Sequence, residues 1–272
     1  MLYKNNSIKI KYKRWKKEIN MNMKKKSESF YNELIYVNNI DYIDNQVSRN
    51  ITKDEITNKI ILDYGCGAGC FSFNILKYSP IKITGVDIGK NNINYAKEKL
   101  KKISSDKIEF ICDDLENYKI DNDKYDLIWS DTVIELLSKE LEEIINGFKK
   151  GLKINGKLYI SFLKYNLKNR IIFRIVNLLS NATPKYLQKY FYYLIIPIYY
   201  IRALFKKNTK INHEQIRNKT KYLFMPQTKL IKTDNIQNIL IKNGFEIIYT
   251  RERIKSDLNS PDHIEIKAIN IS

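Results

Sequence analysis

An apolar run that ends in an acid is followed by three alternating glycines, and this pattern indicates chemistry. The acid is Asp63, and the glycines are Gly65, Gly67 and Gly69. Glycine allows the backbone to turn with positive φ and to approach a ligand closely, because it has no Cβ. Helical spacing resumes over residues 71–78. The order of strand, glycine turn and helix predicts a tight turn that holds a nucleotide-like ligand.

Three more apolar runs further along the chain also end in polar residues. These residues are Asp87, the pair Asp113 and Asp114, and the pair Ser130 and Asp131. A carboxylate at the end of a strand can accept charge-assisted hydrogen bonds from a ligand, and such bonds are stronger than neutral ones. Each residue alone also fits a helix cap or a solvated acid. Their order and spacing together favour a binding site.

In order and spacing these motifs resemble those of class I S-adenosylmethionine-dependent methyltransferases, in particular the small-molecule (type 11/12-like) subgroup. Asp-x-Gly-x-Gly-x-Gly is similar to the first motif of that family and differs from the Gly-x-Gly-x-x-Gly of dinucleotide-binding proteins. Residues 125–130 resemble the fourth-strand signature FDLV. Residues 152–161 resemble LKPGG-x-L-x-I-S, with Ile154 and Asn155 in place of the usual Pro and Gly. The resemblance covers residues 55–165 and, less closely, 233–269.

The resemblance implies S-adenosylmethionine as the cofactor and gives roles to individual residues. It implies that Asp87 accepts two hydrogen bonds from the ribose hydroxyls. It places Asp114 beside the adenine amine, with Asp113 as the alternative, and brings the backbone amide of Leu115 to the ring. The complete expected cofactor set is Asp63, Gly65, Cys66, Gly67, Gly69, Asp87, Ile88, Asp114, Leu115 and Ser130.

Methyl transfer is an in-line displacement, so such an enzyme mainly aligns its acceptor and excludes water. A general base is needed only for a hydroxyl or a protonated amine. Residues 131–136 resemble the E-V-L-E-H stretch of quinone and small-molecule methyltransferases, but Thr132 and Leu136 replace its first Glu and its His. The remaining catalytic candidates are Asp131, Glu135 and His213. Glu135 also has a structural interpretation, as an acid that faces a helix.

The elements that must position these residues alternate between strand and helix from residue 60 to residue 162. This alternation predicts a Rossmann-like, doubly wound α/β fold, and 272 residues suffice for a full core. A helix over 234–243, stopped by Gly244, precedes two β-rich segments, 245–251 and 263–269. The expected fold is a seven-stranded, mostly parallel sheet with a terminal antiparallel pair and a helical lid inserted before the last helix.

The formal net charge of +18 raises the hypothesis of a nucleic-acid partner. The chain is rich in Lys, Asn, Ile and Tyr, a bias that also arises in AT-rich genomes. Ten basic residues lie in 1–26 against Glu18 alone, and fifteen lie in 164–232 against Glu214 alone. The expected parts are a basic N-terminal arm and helical cap (1–54), the cofactor-binding core (55–165), the lid (166–232) and the completion of the core (233–272).

The predicted lid differs from an ordinary linker. Apolar residues recur at helical spacing over 167–179 among Lys168, Arg170 and Arg174, which predicts an amphipathic helix with a basic face. Twelve uncharged residues follow at 190–201. A membrane-spanning helix needs about 20 apolar residues, so the run favours a buried lid helix. An interfacial helix with tyrosines at headgroup depth and an oligomer interface are the alternatives.

Cysteine and histidine usage bears on the compartment and on metals. Cys66, Cys70 and Cys112 are too few for a disulfide framework, and His213 and His263 give no zinc-ligand spacing, so no metal is expected. The lysine-rich N-terminal segment has no apolar stretch of the kind found in secretory signals. These features predict a cytoplasmic protein, with peripheral contact with an anionic membrane as a further expectation.

Three functions fit these features. The favoured one is a methyltransferase for a small or amphiphilic acceptor, such as a lipid, quinone, sugar or secondary metabolite, with O-methylation favoured over N-methylation. The second is an RNA methyltransferase, although residues 130–133 lack the Asn/Asp-Pro-Pro-Tyr turn of amino-directed nucleic-acid enzymes. The third is a non-enzymatic S-adenosylmethionine-binding protein, and the intact glycine turn, Asp87 and Asp114 argue against it.

Overall fold

The structure is a computed structural model of the 272-residue chain, and it describes residues 40–188, 190–191, 193–194, 196–197, 229–253 and 262–272. Most of the predicted N-terminal arm and about half of the predicted lid lie outside these residues. So does the catalytic candidate His213.

A seven-stranded sheet forms the centre of the described fold. Its strands are β1 Ile60–Tyr64, β2 Lys82–Asp87, β3 Ile108–Cys112, β4 Tyr125–Asp131, β5 Leu152–Leu163, β6 Phe245–Glu252 and β7 His263–Asn270. The spatial order is β3-β2-β1-β4-β5-β7-β6. Strands β1 to β5 pair in parallel, and β7 is antiparallel to both β5 and β6. The predicted fold class, with its terminal antiparallel pair, is confirmed.

Helices connect most of the parallel strands. Within the described residues the α-helices are α1 Ile40–Asn50, α2 Cys70–Ile75, α3 Lys90–Ile103, α4 Leu141–Gly151, α5 Leu167–Ala182, α6 Lys185–Gln188 and α7 Thr233–Lys242. Short 3₁₀ turns cover Lys53–Glu55 and Leu76–Tyr78. The helix that the sequence predicts over 234–243 is confirmed within one residue at each end.

Both faces of the sheet are buried, because neighbouring residues of a strand point to opposite sides. In β1, Ile61 belongs to a core cluster with residues of α1, α2 and α3, whereas Leu62 belongs to a cluster with residues of α4 and α7. Leu127 and Ile128 divide in the same way in β4. Burial of each such side chain contributes about 1.5–3 kcal/mol. Two-sided burial explains why these strands read as continuous apolar runs.

The described residues fall into two compact units. One lies within residues 1–169 and 228–272 and contains the sheet, and the other lies within residues 170–227. The second unit falls inside the predicted insertion, 166–232, and the role of that insertion as a lid stays a prediction. None of the described helices is both long enough and apolar enough to cross a bilayer.

Candidate active site

The glycine turn joins β1 to α2 in the left-handed backbone region. Gly65, Gly67 and Gly69 have φ values of 84°, 52° and 75°. Side chains with a Cβ adopt this region only at a cost of about 1–2 kcal/mol, which explains the glycines. The N–H groups of Gly65 and Cys66 both donate to the carbonyl of Val86, at 2.8 and 3.0 Å. These two bonds hold the turn against the end of β2.

The three glycines differ in what surrounds them. A Cβ on Gly65 would lie 2.2 Å from Cγ2 of Val133, and one on Gly69 would lie 2.5 Å from Cζ of Phe110. A Cβ on Gly67 would meet no atom within 4 Å. Packing against protein side chains therefore explains two of the glycines. Only Gly67 leaves open space that a ligand can enter.

Asp87 ties the end of β2 to the glycine turn. Its carboxylate accepts hydrogen bonds from the N–H of Gly67 at 2.9 Å and from the N–H of Gly89 at 2.7 Å. Burial raises the pKa of this carboxyl group, against the effect of the two N–H donors. An ionised carboxylate offers about four lone-pair sites, so two remain for a ligand. Ile88 lies between Asp87 and Gly89, at the start of the loop that leads into α3.

Asp63 is buried at the end of β1, with 2% of its surface exposed. Its carboxylate accepts a hydrogen bond from the hydroxyl of Ser72 in α2, at 2.7 Å. Burial is the main cause that raises its pKa to about 7, and the negative charges of Asp87 and Asp131 add to the effect. Asp63 is therefore only partly ionised at neutral pH. Strand β1 lies between β2 and β4, so Asp63, Asp87 and Asp131 lie at the carboxyl ends of three neighbouring parallel strands.

Cys66 is buried within the glycine turn, and burial raises the pKa of its thiol well above the ordinary value. At neutral pH it is therefore a thiol, not a thiolate. The hydrogen bond to Val86 in β2 comes from the backbone N–H of Cys66 and does not involve the sulfur. Cys66 thus contributes to the site as a small apolar side chain.

The two acids after β3 bond to their own loop. Asp114 accepts hydrogen bonds from the N–H of Glu116 at 3.1 Å and from the side-chain amide of Asn117 at 2.8 Å. Asp113 is exposed and accepts a bond from the N–H of Asp114 at 2.7 Å. The carbonyl of buried Leu115 accepts the hydroxyl of Tyr64 at 2.6 Å. Because Asp87 pairs with Cys112, this loop begins beside the Asp87 carboxylate.

Arg253 holds the predicted catalytic acid Asp131. Asp131 accepts hydrogen bonds from the hydroxyl of Ser161 and from the guanidinium of Arg253. Burial opposes ionisation, but the positive charge of Arg253 lowers the pKa of Asp131. Arg253 also donates to Glu265, at 3.1 Å, and to the hydroxyl of Tyr159, at 3.2 Å. Asp131 is thus an ionised carboxylate that is already bonded, which makes it a poor general base.

Arg253 is a residue that the sequence analysis missed. It lies 122 positions from Asp131 along the chain and stands one residue beyond β6. Neither its type nor its spacing distinguishes it from the many other basic residues of this sequence. The antiparallel strands β6 and β7 bring it to the end of β4.

Glu135 lies in a turn after β4, six residues before α4 begins. The structural interpretation of Glu135, as an acid that faces a helix, stays a prediction. The side chain is 2% exposed, and its Oε2 has no hydrogen-bond partner among the described residues. Burial first, and then the charge of Asp131, raises its pKa to about 8. Glu135 is mostly protonated at neutral pH.

Ser130, the last member of the expected cofactor set, is buried at the end of β4. Its hydroxyl oxygen has no hydrogen-bond partner among the described residues. Within the same part of the chain, no group of three or more His, Cys, Asp or Glu side chains could hold a metal ion.

Comparison with known families decides the class to which this fold belongs. A family model described as "Methyltransferase domain" matches residues 55–244, which contain strands β1 to β5 and helix α7 and end just before β6. The chain belongs to this methyltransferase family. Its fold is that of class I S-adenosylmethionine-dependent methyltransferases, a class whose cofactor is S-adenosylmethionine.

Curated relatives match the methyltransferase over part of its length. Malonyl-[acyl-carrier protein] O-methyltransferase 1 of Ilyobacter polytropus is 36% identical over 133 residues, which cover 48% of this chain and 47% of that protein. Ubiquinone biosynthesis O-methyltransferase of Coxiella burnetii is 30% identical over 157 residues, covering 55% of this chain and 62% of that protein. The chain thus spans about half the length of the curated relatives it matches.

Solved structures agree on the fold. An S-adenosylmethionine-dependent methyltransferase from Listeria monocytogenes gives a TM-score of 0.56 at 16% identity, covering 84% of this chain and 97% of that one. Magnesium protoporphyrin IX methyltransferase from Synechocystis, with bound S-adenosylhomocysteine, gives 0.55 at 16% identity and covers 95% and 99%. At this identity the likeness shows the shared fold.

The residues of this methyltransferase fit S-adenosylmethionine. The open space at Gly67 admits a ligand to the backbone of the turn. The carboxylate of Asp87 bonds to the N–H of Gly67 and so lies at that space. The two remaining lone-pair sites of Asp87 match two hydroxyl donors.

The raised pKa of Asp63 predicts a pH-dependent stability. The group binds its proton up to about pH 7 when folded but only up to its ordinary pKa of 3.8 when unfolded, so the free energy of unfolding falls as pH rises between these values. Asp63→Asn cannot ionise and keeps an acceptor for Ser72. Relative to wild type, we expect the variant to gain about 1.6 kcal/mol at pH 5 and about 4 kcal/mol at pH 8. Chemical denaturation of the cofactor-free protein at both pH values measures the difference.

Asp44→Asn serves as a control of opposite sign. A hydrogen bond from Lys77 lowers the pKa of Asp44, so its ionised form is favoured in the folded protein. Asp44 is ionised in both the folded and the unfolded protein from pH 5 to pH 8, so its replacement should cost the same stability at both pH values, whereas the gain from Asp63→Asn should grow. If the Asp63→Asn difference were the same at pH 5 and pH 8, the carboxyl group would not titrate in this window.

Proposed function

We propose that this protein transfers a methyl group from S-adenosylmethionine to an oxygen atom of a small or amphiphilic acceptor. The observation that carries the proposal is the family match over residues 55–244, together with curated relatives named as O-methyltransferases. Those relatives act, by name, on malonyl-[acyl-carrier protein] and in ubiquinone biosynthesis. The proposed acceptor classes are accordingly small or lipid-like, and O-methylation is favoured over N-methylation.

The proposed cofactor site is the edge of the sheet where β1, β2, β3 and β4 end. Bound S-adenosylmethionine supplies an electrophilic methyl group on its sulfonium. Asp87 binds the ribose hydroxyls, Asp114 lies beside the adenine amine, and the turn at Gly67 gives access to the backbone. The remaining members of the site are Asp63, Gly65, Cys66, Gly69, Ile88, Leu115 and Ser130. Gly65 and Gly69 act indirectly, because they allow Val133 and Phe110 to pack under the turn.

The states of Asp131 and Glu135 indicate what kind of oxygen the acceptor presents. Asp131 is ionised with a lowered pKa, which makes it a weak base, and Ser161 and Arg253 both donate to its Oδ1. Glu135 has a pKa of about 8 and therefore holds its proton at neutral pH. Neither acid is ready to remove a proton from a hydroxyl at pH 7. We accordingly favour an acceptor oxygen that is already ionised at that pH, such as a carboxylate.

Transfer of labelled methyl groups tests this proposal. The full chain is incubated with S-adenosyl-[methyl-³H]methionine and with each of four acceptors: a malonyl thioester, a long-chain fatty acid, a prenylated catechol and transfer RNA. We expect label in a carboxylate acceptor, as a methyl ester that alkali hydrolyses to methanol. The rate should be nearly flat from pH 6.5 to 9, because a carboxylate is ionised throughout that range. A phenol with an unassisted proton loss would instead react up to about tenfold faster per pH unit.

Asp87→Ala is the blank for this assay, because it should bind cofactor poorly under the same conditions. Label in an alkali-stable ether would keep O-methylation but contradict the carboxylate acceptor. Label only in transfer RNA, or on an amine nitrogen, would contradict the proposal as a whole.

A further inference from the structure

Helix α5 exposes an apolar stripe. Ile171, Ile175 and Leu178 are 49%, 52% and 69% exposed. Their spacing of four and three residues places them on one side of the helix. Phe173 and Val176 lie on the opposite side and are buried. The helix therefore has a second apolar side in addition to the one that packs in the fold, and that second side meets solvent.

Basic side chains flank this stripe. Each residue turns about 100° around a helix, so Arg170 and Arg174 lie along one border of the stripe. Both residues are exposed. Residues 167–182 carry three basic side chains and no acid, and residues 164–232 carry Glu214 as their only acid. The stripe thus lies on a helix segment of net positive charge, in which Lys168 pairs with Asp262 at 3.5 Å.

Apolar side chains are also exposed in the residues that follow α5. Side chains with large exposed apolar area follow within the described part of this unit: Tyr186, Leu187, Tyr190, Tyr193 and Leu194. Tyrosine rings prefer the headgroup region of a bilayer, where the ring is apolar and the hydroxyl is hydrated. A helix of 16 residues spans about 24 Å, too short to cross the hydrocarbon core of a bilayer but long enough to lie in its interface.

We propose that the stripe of Ile171, Ile175 and Leu178 docks on an anionic membrane surface, with Arg170 and Arg174 at the lipid phosphates. This goes beyond the proposed methyl transfer and does not depend on it. The aliphatic side chains enter the acyl boundary, and the guanidinium groups complement negative headgroups. Nucleic acid fits less well, because aliphatic side chains gain nothing at a phosphate backbone. A twofold pairing of two copies would bring like-charged arginines together.

Vesicle co-sedimentation with the full, cofactor-free chain tests the proposal. The vesicles are phosphatidylcholine alone, or phosphatidylcholine with one third phosphatidylglycerol. We expect binding to the anionic vesicles that weakens with salt, and little binding to the neutral ones. Ile171→Glu with Ile175→Glu should lower the bound-to-free ratio at least tenfold.

A matched double variant separates the stripe from net charge. Ile154 and Ile241 are 67% and 61% exposed in the other unit, so Ile154→Glu with Ile241→Glu makes the same charge change elsewhere. This control should stay within about twofold of wild type. Arg170→Ala with Arg174→Ala should weaken binding about fivefold per residue, since each basic residue near an anionic surface contributes about that factor. Lys101→Ala with Lys102→Ala, on exposed positions of α3, is its control.

Three results would overturn the proposal. The first is an equal loss of binding in both isoleucine pairs, which would make the effect one of charge alone. The second is no retention of wild type on anionic vesicles. The third is concentration-dependent self-association in sedimentation velocity that the Ile171→Glu, Ile175→Glu variant abolishes, which would assign the stripe to a second copy of this chain.

Discussion

Gly67→Ala is expected to abolish measurable S-adenosylmethionine binding while the protein stays folded. A Cβ at this position enters open space, so it meets no protein atom but occupies the place proposed for the cofactor. An overlap of one methyl group with a closely fitted ligand should weaken binding at least a hundredfold, about 2.7 kcal/mol. The left-handed backbone at φ 52° should cost the folded state only about 1–2 kcal/mol. Titration calorimetry and thermal unfolding measure the two effects.

Gly65→Ala is the matched variant, and the fold should suffer instead. Its Cβ would lie 2.2 Å from Cγ2 of Val133, so the loop after β4 must move. Overpacking of about 1–3 kcal/mol adds to the backbone cost. Adding Val133→Ala should restore part of the lost stability by removing the clash. If Gly67→Ala bound the cofactor like wild type, the turn would not be the cofactor contact.

Asp87→Ala should weaken S-adenosylmethionine binding by at least tenfold. The carboxylate accepts the N–H groups of Gly67 and Gly89, so its removal frees the turn as well as the proposed ribose contact. Hydrogen bonds to a charged group are worth about 1.5–3 kcal/mol each. Asp87→Asn should be intermediate, because its amide keeps one acceptor oxygen and turns a donor toward an N–H group. Titration calorimetry gives the affinities.

Asp113→Ala and Asp114→Ala extend this test to the next strand end. Asp113 is exposed, so its removal should change affinity by less than about twofold if Asp114 is the residue at the adenine. Asp114→Ala should weaken binding more, although part of that effect comes from its bonds to Glu116 and Asn117.

Unchanged affinity in a folded Asp87→Ala protein would remove Asp87 from the site.

The core of this fold is predictable from residues that are neighbours in the sequence. Strands that are buried on both faces appear in the sequence as continuous apolar runs, the tight turn appears as three glycines, and the end of α7 appears as Gly244. All of these features are present in the structure. Even a departure from the family motif is understandable in local terms. Asn155 stands where the motif has Gly and adopts φ 63°, a conformation that Asn tolerates better than most residues.

The charge states of the acids were not predictable from sequence. Asp63, Asp131 and Glu135 are the same kind of group in the sequence, yet the pKa of Asp63 and Glu135 is raised and that of Asp131 is lowered. The difference comes from burial and from one guanidinium. Sequence spacing contains neither quantity, because both depend on which distant segments fold against each strand end.

The sequence by itself determined the order of strands and helices, the glycine turn and the acids that close the strands, because these depend on residues next to one another. Only the tertiary structure decided that Gly65 is required by Val133, that Gly67 is the open position, and that Arg253 holds Asp131. It also decided that the stripe on α5 faces solvent, where the amphipathic pattern predicted only a helix with one apolar and one basic face. Each of these facts is a distance or an exposure between segments far apart in the chain, and the pattern of neighbouring residues cannot encode it.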